Sequence, residues 1–329
     1  MDAEPFTGQS VLVTGAQGFV GGWLTERLLD AGARVVVPQR DQPSDSRFRS
    51  EGVEARCDVV AADLTDYAAV TRMLNEYEVR AVFHLAAQTI VGTANRSPLS
   101  TWESNIRGTY TLLEACRAAA AVAVPVERIV VASSDKAYGD QEAVPYREET
   151  PLLAQYPYDV SKACTDLIAR SYAATYRLPV AISRMANVYG GGDMNFSRLV
   201  PDTARALVDG ERPVLRSDGS PERDWIHVDD AVDAYLAMSR SLERPELYGR
   251  AWNAGSGRAV SVLDLVRTLI RASGRDIEPD VQGEGTPEGE IARQVLDAST
   301  IREELGWEPR LDLEQGLAKT WAWYEHRLS

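Results

Sequence analysis

Ser10-Val-Leu-Val-Thr14-Gly15-Ala16-Gln17-Gly18-Phe19-Val20-Gly21 is the stretch that decides the fold. A short β-branched run gives way to glycines at 15, 18 and 21, then to a helical pattern at 23–31 and a second apolar run, Arg34-Val-Val-Val37. Strand, glycine turn, helix and strand in that order make one βαβ unit. Glycines let the backbone turn tightly and approach a pyrophosphate, and the helix that follows offers free N–H groups and the positive end of its dipole. Gly15, Gln17, Gly18, Phe19, Val20 and Gly21 are therefore read as a dinucleotide phosphate site.

Working outward, further apolar runs stand at 81–85, 128–132 and 179–183, separated by helical patterns at 105–121 and 161–176. They are continuous rather than alternating, which predicts a parallel sheet buried on both faces. After about Arg184 the texture changes to glycine, proline and polar clusters at 190–193, 217–221, 255–257 and 283–289, with helices between them and a closing helix pair at 299–305 and 313–326. The fold expected is α/β: a Rossmann-type doubly wound parallel sheet with a smaller C-terminal α/β substrate domain. The expected boundaries are 1–184 for the cofactor domain, with a return strand near 226–256, and 185–329 for the substrate domain.

Composition bounds the partners. The 329 residues are 44% apolar and 26% charged, as in a folded globular protein, and the net charge of −14 is opposite to the footprint of a nucleic-acid binder. An anionic ligand must then be held by local donors. Cys57, Cys116 and Cys164 form no CxxC and no disulfide framework, and no stretch reaches the roughly 18 apolar residues of a membrane span. With no targeting pattern at the start, a cytoplasmic protein without nucleic-acid or membrane partners is expected. No metal-ligand spacing is present, and His84 and His227 read as structural.

Two further stretches carry chemistry. At the end of the second strand, Pro38-Gln39-Arg40-Asp41 lacks the acid that usually holds ribose hydroxyls of NAD, and Arg40 suits either a 2′-phosphate or the adenine face. Asp63 and Leu64 are placed to meet the adenine, or Asp63 caps the helix that follows Thr65. NAD and NADP both stay open. Tyr158-Asp-Val-Ser-Lys162 puts a phenol and an ammonium on one helix face, where the cation would help the phenol ionise and act as a base. Ser133-Ser134-Asp135-Lys136 follows a core strand, so a hydroxyl there can bond the oxygen that Tyr158 deprotonates.

These motifs, with His84-Leu-Ala-Ala-Gln88, Ser104-Asn105-Ile-Arg-Gly108-Thr109, Asn187-Val-Tyr-Gly190, Arg223-Asp-Trp-Ile-His227-Val and Leu305-Gly-Trp307, resemble the extended short-chain dehydrogenase/reductases that modify nucleotide sugars. The resemblance runs over essentially the whole chain. It implies a tightly bound nicotinamide dinucleotide, NAD slightly favoured, held also by Leu85, Ala86, Ala87, Asn105, Ser133, Tyr158 and Lys162. It implies a nucleotide-diphosphate sugar held by Gln88, Thr89, Asn187, Arg198, Leu199, Val200, Arg223 and Arg293. A homodimer through a four-helix interface built from 105–121 and 161–176 follows from the same resemblance.

Within that branch, Ser134-Asp135-Lys136 is similar to the Thr-Asp-Lys of CDP-glucose 4,6-dehydratases, against the Thr-Asp-Glu of the dTDP-glucose type. The implied reaction converts an NDP-hexose, CDP-glucose first and GDP-mannose next, to the NDP-4-keto-6-deoxyhexose. Tyr158, with Ser134 and Lys162, serves transient C4 oxidation; Asp135 protonates the departing C6 hydroxyl, and hydride returns to C6. Lys136 is either the base at C5 or an electrostatic stabiliser of the enolate. The alternative is an NDP-sugar 4-epimerase, or an NDP-uronate decarboxylase, of the same branch.

Overall fold

The computed structural model describes residues 6–41, 45–119, 125–285 and 291–329. The chain start, the last two residues of the 105–121 helical pattern and the end of the 283–289 loop lie outside the described residues. Seven parallel strands form the main sheet: β1 (Ser10–Thr14), β2 (Arg34–Gln39), β3 (Asp58–Ala61), β4 (Ala81–His84), β5 (Arg128–Ala132), β6 (Val180–Met185) and, from much later in the chain, Ala251–Ala254. Four short pieces precede that last strand: β7 (Asn187–Tyr189), β8 (Val214–Leu215), β9 (Glu222–Arg223) and β10 (Trp225–His227). It is therefore β11, and the spatial order is β11-β6-β5-β4-β1-β2-β3. The sheet reverses direction of growth between β1 and β4, the position where an open α/β sheet leaves a crevice at its carboxyl ends.

Alternate residues of the central strands feed two cores. Val11, Val13, Val35, Val37, Phe83 and Val130 pack on one face with helices Phe19–Asp30 and Val228–Ser241; Leu12, Val36, Val82, Ile129, Val131 and Ile182 pack on the other with helices Tyr67–Glu76, Gly108–Ala119 and Pro157–Tyr176. Both faces are dry, which is why the strands read as unbroken apolar runs. Each such side chain contributes roughly 1.5–3 kcal/mol by burial, so a charge at Leu12 or at Val13 would be buried whichever face it took. The edge strand β3 alternates between half-buried and exposed residues, and for that reason it shows no continuous run in the sequence.

A third core, around Tyr189, Leu207, Leu265, Leu269, Leu317 and Trp321, belongs to the C-terminal half. There β10 pairs with β7, β9 with both β12 (Val260–Ser261) and β14 (Arg293–Gln294), and β8 with β13 (Asp280–Val281). The closing helix Leu313–Leu328 carries a capping box between Asp312 and Gln315.

Helix starts depart from the sequence pattern in informative ways. The first helix opens at Phe19, directly on the glycine turn, and the helix bearing Tyr158 opens at Pro157, whose fixed φ suits a first turn. The helical stretch expected from Asn105 begins earlier, at Pro98, and passes through a widened turn over Glu103–Arg107 before Gly108–Ala119. That turn brings Asn105 inward, where it is buried. Asp63 is not the cap of the helix beyond Thr65. Asp66 accepts the N–H groups of Ala68 and Ala69, while Asp63 closes a local turn by accepting from Thr65 N and Oγ1 at 2.8 and 2.9 Å.

Candidate active site

The glycine turn is built for close approach. Gly15 has φ +77°, and a Cβ there would lie 2.8 Å from the backbone N of Ala86; a Cβ on Gly21 would lie 2.1 Å from the Gly15 carbonyl oxygen. Only glycine fits either place. Gly18 caps the helix in an extended conformation without any side-chain bond to the first-turn N–H groups, and the buried Nε2 of Gln17 has no partner among the described residues. Phe19 and Val20 open that helix. Open backbone donors, an orphaned amide and a turn that only glycine can make suit a pyrophosphate.

Beside this turn, Thr14 Oγ1 accepts the Ala86 N–H at 3.1 Å and bonds His84 Nδ1 at 2.8 Å, while His84 Nε2 bonds Thr109 Oγ1 at 2.9 Å. Burial, with Lys162 nearby, pushes the His84 imidazole down to about 3, so the ring is neutral and structural. Leu85 N–H donates to Thr14 O, and Ala87 follows in the same half-buried loop. Asn105 fixes the next residue: its Oδ1 accepts the Gln88 N–H at 2.7 Å, and its Nδ2 donates to Gln88 O at 3.1 Å and to Ser161 Oγ at 2.9 Å. At the far end of the crevice Arg40 pairs with Asp41 at 2.7 Å, both well exposed, and Leu64 packs near Gly108.

The reactive residues come from the turn after β5 and from helix Pro157–Tyr176, which pack against each other. Ser133 Oγ donates to Lys162 O at 3.2 Å. Ser134 Oγ donates to Asp135 Oδ1 at 3.0 Å and accepts the Lys136 N–H at 3.2 Å, and it helps to hold the Tyr158 phenol down against burial. Asp135 is buried, its carboxyl raised by desolvation against the pull of Lys136, Ser134 and Arg223, and its Oδ2 has no partner among the described residues.

Lys162 is buried and its Nζ donates to Ala132 O at 2.7 Å; desolvation brings it down to about 8. Burial raises the Tyr158 phenol, and Arg198 is foremost among the groups that oppose this rise.

The arginines divide. Arg198 reaches across from the C-terminal half, donating to Asp193 Oδ2 at 3.1 Å and to Thr89 Oγ1 at 3.3 Å, just before helix Leu199–Val208, whose Val200 is buried. Arg223 is buried and close enough to act on Asp135. Arg293 is largely exposed and pairs with Glu222 at 3.0 Å, one ladder step from Arg223. Asn187 donates both its backbone N–H and its Nδ2 to Asp224 O, at 3.1 and 3.3 Å. Sequence reasoning missed Asp159, buried beside Tyr158 and under the influence of Asp135 and Lys136. Its one available signal was its place inside the Tyr-x-x-x-Lys motif.

An α/β sheet whose glycine turn and crevice gather a serine, a tyrosine and a lysine defines a class of dinucleotide-dependent oxidoreductase-like proteins. Residues 12–320 match the family described as GDP-mannose 4,6 dehydratase, and the chain belongs to the extended short-chain dehydrogenase/reductases of the NAD-dependent epimerase/dehydratase family. It is 30% identical to a CDP-glucose 4,6-dehydratase of Salmonella typhimurium over 99% of this chain and 93% of that protein. It is 31% identical to a UDP-glucose 4-epimerase of Azospirillum brasilense over 97% of this chain and 92% of that protein. Among solved structures it resembles the dTDP-glucose 4,6-dehydratase DesIV of Streptomyces venezuelae with NAD and TYD bound, at TM-score 0.85 and 31% identity, covering 97% of each chain. Among the described residues no helix is long and apolar enough to cross a membrane.

Proposed function

We propose that the protein is a nucleotide-sugar 4,6-dehydratase acting in the cytoplasm, with CDP-glucose the favoured substrate and GDP-mannose next. The observation that carries this reading is Asp135, a buried carboxyl whose raised pKa and unpartnered Oδ2 suit a general acid. A 4-epimerase needs no such acid.

A nicotinamide dinucleotide, when bound, supplies reversible oxidation at C4 of the sugar. Gly15, Gln17, Gly18, Phe19, Val20 and Gly21 would hold its pyrophosphate; Asp63 and Leu64 its adenine; Leu85, Ala86, Ala87, Asn105 and Ser133 its remaining length. The Arg40 charge is already answered by Asp41, so this end suits ribose hydroxyls better than a 2′-phosphate and NAD is the proposed form. Tyr158 Oη takes the C4 hydroxyl proton, oriented by Ser134, with Arg198 and Lys162 supplying positive charge nearby. Asp135 delivers a proton to the C6 hydroxyl. Lys136 holds negative charge as C5 loses its proton. Arg198, Arg223 and Arg293 answer the diphosphate, with Asn187, Leu199 and Val200 along the nucleotide and Gln88 and Thr89 along the sugar. Leu99, Trp102, Tyr110 and Leu167 expose apolar surface around the two long helices, which supports a homodimer through them.

The test is incubation of the cofactor-loaded protein with CDP-glucose, GDP-mannose, dTDP-glucose and UDP-glucose without added reductant. One donor is expected to lose the mass of one water. An isobaric C4 epimer with no water loss from any donor would overturn the reading.

A further inference from the structure

The turn Gly190-Gly-Gly-Asp193 follows β7 and is held from both halves of the molecule. Trp23 Nε1, on the first helix of the cofactor half, donates to Gly191 O at 2.8 Å, and the Tyr324 hydroxyl, on the closing helix, donates to Asp193 O at 2.6 Å. Gly191 lies against Trp323, where a Cβ would fall 2.3 Å from Cγ, so the turn has no room to shift toward that helix. It ends on Asp193, a residue only 5% exposed. The Asp193 Oδ1 accepts the Asn195 N–H at 3.1 Å, and its Oδ2 accepts Arg198 Nη1 at 3.1 Å. Arg198 Nη2 in turn donates across the crevice to Thr89 Oγ1 at 3.3 Å, and the Gln88 backbone next to Thr89 is itself clamped by Asn105. A long side chain that is 39% exposed is thus pinned at two points, one in each half.

A carboxylate is an unexpected neighbour for an arginine that must attract a diphosphate. On charge alone it weakens the site, because it offsets the guanidinium it touches. What it supplies is order. A free arginine samples many rotamers, and a planar fork already held in place spares binding that loss of freedom. We propose that Asp193 is a positioning residue for substrate binding: its carboxylate, set by the Gly190–Asp193 turn and the Tyr324 hydroxyl, holds the Arg198 guanidinium across the crevice at Thr89, ready for the diphosphate of the nucleotide sugar. The inference rests on the nucleotide-sugar reading and on its assignment of Arg198 to the diphosphate; it applies to dehydration and C4 epimerisation alike. Tyr324 acts one step further back. Its ring is buried in the third core, and its hydroxyl makes the bond that fixes the Asp193 backbone.

The experiment is calorimetric titration of the full chain, loaded with its dinucleotide, with CDP, GDP, dTDP and UDP, probes that carry the diphosphate and no sugar to react. Arg198→Ala is expected to weaken the diphosphate that binds the wild type roughly 10- to 100-fold. Asp193→Ala is expected to weaken it roughly 3- to 10-fold, Asp193→Asn, which keeps one acceptor oxygen, by less, and Tyr324→Phe about two- to threefold. In the Arg198→Ala background each of these losses vanishes, and NAD affinity stays within about twofold throughout. Should Asp193→Ala lack a cooperative thermal transition, Asp193→Asn and Tyr324→Phe complete the same cycle. Tighter binding by the Asp193 variants, the result that charge alone dictates, overturns the proposal. So do losses that persist without Arg198, which would mark a merely structural role and leave the nucleotide-sugar reading standing. Unchanged affinity in Arg198→Ala overturns the assignment of that residue to the diphosphate and the proposal with it. A wild type that binds none of the four probes overturns both the proposal and the nucleotide-sugar reading.

Discussion

Helix Pro157–Tyr176 and the turn Asp135–Tyr138 each take part in two buried charge clusters, and the two clusters are finished differently. Toward the sheet, Asp166 receives Arg184 Nε and Nη2 at 2.8 and 3.0 Å, Arg184 Nη1 donates to the Tyr138 hydroxyl at 2.9 Å, and that hydroxyl donates to Asn253 Oδ1 at 2.7 Å. The two charged partners are at most 1% exposed, and the carboxylate and guanidinium meet as a bidentate pair. Toward the crevice, Asp135 keeps one oxygen buried and without a partner among the described residues, and Asp159 is buried on the facing helix. Seven residues separate Asp159 from Asp166, about two turns. A buried charge that is fully answered serves architecture, because nothing more can bind it; one left half-answered is a destination for a ligand atom or a proton.

That contrast can be broken by mutation, and the largest effect belongs to the crevice. Asp135→Asn is expected to cut elimination roughly 10²- to 10⁴-fold while C4 oxidation stays within a fewfold and thermal stability holds, because a buried carboxyl lacking one partner is removed. Single-turnover absorbance and product mass read the two steps. Loss of both steps together, or a collapse in stability, would erase the distinction. In the other cluster, Asp166→Ala leaves Arg184 buried and uncompensated, and urea unfolding should show a loss of about 3–5 kcal/mol. A loss under 1 kcal/mol would mean that this cluster too is dispensable to the fold. Smallest is the exposed pair Arg40–Asp41, where Arg40→Ala should change stability by no more than ~1 kcal/mol and leave NAD binding nearly intact. A large loss of dinucleotide affinity would assign Arg40 to a 2′-phosphate after all.

Much of the sheet was legible because its strands are buried on both faces. β1 and β5 read directly as apolar runs, and the glycine turn between β1 and its helix announced itself by spacing. β3 did not, since its alternate residues face solvent, and the start of the Asn105 region did not, since a widened turn has no periodicity to detect. In the site, the motif residues Ser134, Asp135, Tyr158 and Lys162 could be named from the chain. What could not be read was the electrostatics: that Lys162 bonds a backbone carbonyl, that Arg198 from the other half supplies the charge felt by Tyr158, and that Asp159 is dry. Each depends on distances set by tertiary packing, which spacing along one helix does not encode.

β11 has a consequence for anyone wishing to recombine this protein with its relatives. The strand Ala251–Ala254 lies beside β6 in the cofactor sheet, and its Asn253 donates to Tyr146 O and Asp297 O while receiving the Tyr138 hydroxyl. A cut near residue 185 would leave the first fragment with a bare edge along β6 and a Tyr138 hydroxyl without its acceptor, an invitation to aggregate rather than to fold. The two halves are consequently not interchangeable cassettes: a graft that changes nucleotide preference must be spliced around residues 251–254, keeping that strand with the sheet it completes.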